Sequence, residues 1–124
     1  MKMFAIALAA VLAAASFAAW AHGDAQPMHA GIVQVVSDLQ FELVPQREGG
    51  AALYIVDHGK PADTTAMSGR LSVLNGTEKS DAELRPAGGN KLHAAGVKLA
   101  AGSKVIARVT GGDGKVLTVR FSVK

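Results

Sequence analysis

From residue 31 onward the chain is written in short runs of alternating apolar and polar residues, each closed by Gly, Pro, Asn, Asp or Ser. Ile32 to Val36 is the first run. Leu39-Gln-Phe-Glu-Leu43 alternates cleanly and places Leu39, Phe41 and Leu43 on one face, the period of two that a half-buried strand shows. Ser37-Asp38 joins the two runs as a tight connection. Ala52 to Val56 is rich in β-formers, and Asp57-His-Gly-Lys-Pro61 turns the chain after it. Gly69 to Leu74 sets Leu71 and Val73 inward, and Asn75-Gly76 signals a hairpin that returns through Ala82 to Leu84. Pro86 to Asn90 is a further turn, followed by a short strand over Leu92 to Ala94. Val105, Ala107 and Val109 share a face, Gly111 to Gly114 turns the chain, and Leu117, Val119, Phe121 and Val123 point inward. Apart from a turn near Ala94 to Ala101, no helical pattern competes. About eight short strands at a spacing of roughly 8–12 residues predict an all-β fold. The expected architecture is a single antiparallel β-sandwich, immunoglobulin-like in outline, over residues 31–124.

Residues 1–21 have a different pattern. Lys2 is followed by an Ala-dominated apolar run from Met3 to Phe17, and Ala19-Trp-Ala21 has the small-x-small form of a cleavage site. The expectation is a cleaved signal peptide and export to the periplasm. Residues 22–30 contain Gly and Pro and no periodicity, which predicts a flexible N-terminal arm. Cleavage after Ala21 would make His22 the new amino terminus.

Composition narrows the chemistry. The 124-residue chain has no cysteine, which excludes disulfides, thiol nucleophiles and thiolate metal sites. Without Lys2, 12 basic residues remain against 10 acidic ones, so the mature charge is about +2. Basic residues are scattered and only 5% of the chain is aromatic, which argues against a nucleic-acid surface. No second apolar span follows residue 21, so no membrane association is expected after cleavage. No phosphate-cradling glycine loop, G-x-S-x-G or H-E-x-x-H is present. Ser68, His58 and Asp57 have no spacing that supports a triad, so the protein is not expected to be an enzyme.

The histidines carry what chemistry remains. His22 and His29 lie on the arm with Asp24 and Met28, and His58 lies beside Asp57 on a turn. Imidazole suits copper and zinc, and thioether suits Cu(I). A terminal His22 could chelate one ion through its amine and its ring, with Asp24 or His29 completing the shell. Ligand imidazoles must be neutral, so affinity should fall as pH drops through about 6.5. The plainer readings are solvated arm histidines, turn-forming Asp24 and Asp57, a core role for Met67 and a surface position for His93.

Pro27-Met-His-Ala-Gly-Ile-Val-Gln-Val-Val36, followed by Phe41-Glu-Leu-Val44, resembles the opening of heavy-metal efflux periplasmic adaptor proteins. Those open with a His-Gly-Gly element, where this chain has His29-Ala30-Gly31. Leu53 to Pro61, Gly69 to Gly76 and Leu84 to Asn90 look like small exported proteobacterial proteins found near metal-resistance functions. The architecture is also similar to that of periplasmic copper-resistance carriers. The resemblance implies His29 and His58 as metal positions, whereas His22 rests on cleavage alone. The adaptors' hairpin and lipoyl-like parts are absent, so a pump subunit is not implied. The functional expectation is a non-catalytic copper buffer or carrier, with zinc as second metal and a metal efflux or resistance protein as partner. The alternative is an envelope module that binds a partner protein, without metal, through strand edges or loops.

Overall fold

The structure is a computed structural model and describes residues 25–124. The expected signal peptide, residues 1–21, and the expected ligands His22 and Asp24 lie outside the described residues. Nine strands form: β1 Ile32–Val36, β2 Leu39–Pro45, β3 Ala51–Asp57, β4 Lys60–Pro61, β5 Ser68–Asn75, β6 Glu78–Pro86, β7 Lys91–Ala94, β8 Lys104–Thr110 and β9 Val116–Ser122. The fold is all-β, with no helix among the described residues. The alternating runs are the strands, because a period of two buries one face and hydrates the other.

The turns follow their residues. Ser37 and Asp38 both have positive φ, 50° and 64°, as a two-residue type I′ connection requires. His58 and Gly59 repeat that pattern between β3 and β4, at 49° and 79°. The β5–β6 hairpin turns on Gly76-Thr77, because Asn75 is still paired with Glu78. Only Gly76 there has positive φ, at 62°, which matches a turn led by glycine.

Every pairing is antiparallel, and the path runs β1-β2-β3-β7-β6-β5-β8-β9, with β4 added beside β3. Strands β5 to β8 lie in the order β8-β5-β6-β7, a Greek key whose long connection is residues 95–103. The expected two-layer immunoglobulin-like sandwich is not what the pairing describes. One continuous sheet curls on itself until its end strands, β1 and β9, approach each other. Strand twist makes such curling favourable, and near-closure leaves a single interior to fill.

That interior is one core of Phe41, Leu43, Leu53, Ile55, Leu71, Leu84, Leu92, Val105, Val119, Phe121 and their smaller neighbours. The inward positions expected on β2, β5, β8 and β9 supply it, with Leu39 and Leu117 only partly covered. Val97 enters from the long connection, and its carbonyl accepts the Gly50 N–H at 2.7 Å. Met67 packs at the edge of the core.

Candidate functional site

The site is built on the outside of the sheet. Alternation turns Phe41 and Leu43 inward, so Glu42 between them points out. Pairing aligns Val33, Glu42, Tyr54 and Lys91 in one row across β1, β2, β3 and β7. An outward carboxylate would ordinarily be hydrated, yet Glu42 is only 2% exposed. The arm covers it.

Residues 26–31 run over β2. The Gln40 side-chain amide donates to the Gln26 carbonyl at 3.3 Å. Glu42 Oε2 accepts the backbone N–H groups of His29 and Gly31, each at 2.8 Å. Oε1 accepts the Met28 N–H at 3.0 Å and faces His29 Nδ1 at 3.1 Å. Three amides of one short loop thus converge on one carboxylate, the same concavity that binds anions elsewhere. The loop bends through Ala30, whose φ of 56° is left-handed. Gly31 must be glycine because a Cβ there would stand 2.5 Å from the Leu43 carbonyl oxygen. The part of the expected flexible arm that is described, residues 25–30, is therefore fastened at its base.

The electrostatics follow from these contacts. Burial pushes the Glu42 carboxyl up; the hydrogen bonds from Gly31, His29 and Met28 together outweigh it, so the group titrates below the ordinary 4.5. The contact between Nδ1 and the carboxylate orients the His29 ring. The ring also lies flat on Tyr54, centroids 3.6 Å apart and planes 7° from parallel. Lys91 Nζ stands 6.0 Å from the Tyr54 centroid. The side chain of His29 remains 41% exposed, so the ring is held in orientation without being buried.

The other expected ligands are placed as follows. Met28 is next to His29 and 76% exposed. His58 Nδ1 is hydrogen-bonded to Asp57 Oδ1 at the tip of the β3–β4 turn. Asp57 falls on the inward side of β3 and lines an open end of the curled sheet with Phe41, Ile55 and Met67. Tyr54, under His29, is on the outward side. The structure therefore brings Met28 and His29 together and pairs His58 with Asp57 at the tip of the β3–β4 turn, and no contact among the described residues joins the two pairs. Among the described residues, no three His, Asp or Glu side chains gather in a metal-holding group. His93 sits half-buried on the outer face, where a Cβ at Gly50 would come 3.3 Å from its Nε2.

Glu42 and Tyr54 are the site residues that sequence reasoning missed. Alternation marks both as outward, which ordinarily means hydrated. Only the arm folding back over β2 buries Glu42 and stacks an imidazole on Tyr54. Comparison with protein families, curated proteins and solved structures finds no match to this chain.

Proposed function

We propose that the protein is an exported, non-catalytic metal-binding carrier or buffer, for copper first and zinc second. One observation carries the reading: His29 has Nδ1 on a buried carboxylate while its side chain stays 41% exposed. Metal-binding histidines characteristically donate their other ring nitrogen to a carboxylate, which fixes the tautomer and makes the free nitrogen a better ligand. The stack on Tyr54 further fixes the ring. Met28 adds an adjacent thioether, which suits Cu(I). His22 and Asp24 belong to the same arm and supply the remaining donors, with the His22 amine available after cleavage behind Ala21. His58 and Asp57 form a second carboxylate-braced imidazole that acts separately. A metal efflux or resistance protein in the same compartment is the partner that such a carrier serves.

The test is a Cu(II) and Zn(II) titration of protein beginning at His22, beside His22→Ala, His29→Ala and Glu42→Gln. Either histidine change should weaken the tightest site at least tenfold. Glu42→Gln should weaken it by about tenfold, in the range seen when a ligand's supporting carboxylate is removed. Equal, weak binding by all four proteins would sink the proposal.

A further inference from the structure

The two ends of the sheet path, β1 and β9, approach each other but share no backbone hydrogen bond among the described residues. The path holds eight strands, and each runs opposite to its neighbour, so β1 and β9 are themselves antiparallel. Their directions would permit pairing, yet the facing edges are left unpaired. Unpaired strand edges are templates for another extended chain.

A cleft of about 560 Å³ lies along this joint. Val33 and Gln34 line it from β1, and Lys104, Ile106, Arg120 and Lys124 line it from β8, β9 and the residues after β9. Three of its side chains are cationic and none is acidic. The charge continues onto the outer face, where Arg70 on β5 stands directly opposite Arg108 on β8. Like charges directly opposed across strands are destabilising. Two carboxylates share this face, Glu83 opposite Arg70 and Asp81 opposite Ser72. Glu83 pairs with Arg85 and Asp81 accepts from the Ser72 hydroxyl, and neither Arg70 nor Arg108 forms an ion pair among the described residues. Lys104 has only the Ser122 hydroxyl, at 3.0 Å. Ile106 sits amid these cations, paired with Ser72 and Arg120 and 37% exposed.

We propose that the β1–β9 cleft is a binding site for an extended acidic segment of a partner protein, with apolar and acidic side chains alternating. Its carboxylates would meet Lys104 and Arg120 on one side of the joint, and its apolar side chains, pointing the other way, would cover Val33 on the other. Several β1 and β9 Cα atoms lie within 8 Å of each other. A strand inserted between them would need about 9.5 Å, twice the ordinary spacing of 4.7–4.9 Å. The guest therefore lies over the joint and does not become a new strand of the sheet. A planar anionic membrane fits less well, because the cations line a concave cleft. The site is independent of the metal reading and shares no residue with it.

The experiment uses a fluorescent peptide of about ten residues that alternates glutamate and valine, its lysine–valine counterpart, and phosphatidylglycerol vesicles. Each is titrated in EDTA against the wild-type protein, Arg120→Glu and Lys98→Glu. Lys98 lies away from the cleft, beside the β2–β3 loop, and its reversal changes net charge equally. The acidic peptide should bind wild type and Lys98→Glu within twofold of each other, and Arg120→Glu at least tenfold more weakly. Its amide chemical-shift changes should fall on residues 32–36 and 116–124. Lys104→Gln serves in place of Arg120→Glu if that variant fails to fold, with a loss of at least threefold. No binding of the acidic peptide, equal loss in both charge reversals, shift changes elsewhere, or binding to vesicles alone would each overturn the proposal.

Discussion

At position 42 a carboxylate replaces its water shell with three backbone amides and an imidazole. Hydrogen bonds to a charged group are worth about 1.5–3 kcal/mol net, and a buried acceptor that loses its donors is penalised further. Glu42→Gln keeps the shape but turns an amide toward the arm's N–H groups. It should destabilise the docked arm by about 2 kcal/mol, measured as faster hydrogen exchange at the amides of Met28, His29 and Gly31. The pH dependence has a definite sign. Because the folded carboxyl titrates below the ordinary 4.5, its contribution is fully present above that value and is lost as pH falls through the folded one. Arm protection should therefore hold at neutral pH and decline only below about 4.5, and Glu42→Gln should abolish that decline. Ala30 is the matching residue of strain. A non-glycine residue in the left-handed region costs about 1 kcal/mol, so Ala30→Gly should slow exchange at the same amides. Nothing in positions 26–31 or 39–43 read separately marks this contact, since an outward Glu beside Phe41 and Leu43 has the pattern of a hydrated strand residue.

Strands and turns are where local chemistry was most legible. The inward sets Phe41 with Leu43, Leu71 with Val73, Val105 with Ala107 and Val109, and Val119 with Phe121 are the buried positions of their strands. A two-residue period is a property of the strand itself, so it needs no knowledge of the partner. The two-residue strand β4 escaped notice because it is too short to show a period, and because its Pro61 reads as a breaker. Proline is tolerated there because β4 lies off the main path and pairs only with β3. The loop after it is fixed by a buried residue, Thr64, which no pattern singled out. Its N–H donates to the Gly89 carbonyl at 3.2 Å, and its hydroxyl lies 3.1 Å and 3.0 Å from the carbonyls of Gly89 and Lys91. Thr64→Val preserves shape and removes the hydroxyl, so it should lower unfolding free energy by about 1–2 kcal/mol in urea denaturation. Ser103 is the converse. Its buried hydroxyl has no protein partner, so Ser103→Ala should leave stability unchanged or raise it by up to about 1 kcal/mol.

For the whole molecule, one interior serves every strand of the main path. Leu53 lies in its middle with no exposed surface, flanked in the sheet by Leu43 and Leu92. Leu53→Ala should cost about 2–5 kcal/mol, because hydrogen-bonded strands on either side of it cannot easily collapse around the void. The loss should appear as a single shifted transition by circular dichroism and by tryptophan-independent probes alike, as one core implies. The sequence by itself determined the strands, their inward faces and most of their turns, because side-chain period and the φ demands of Gly, Asn and Asp act within a few residues. Tertiary structure alone decided the curled single sheet, the insertion of β7 between β3 and β6, and the burial of Glu42 beneath the arm. Each of these depends on which distant segments meet, and alternation records only that a face is covered, not what covers it.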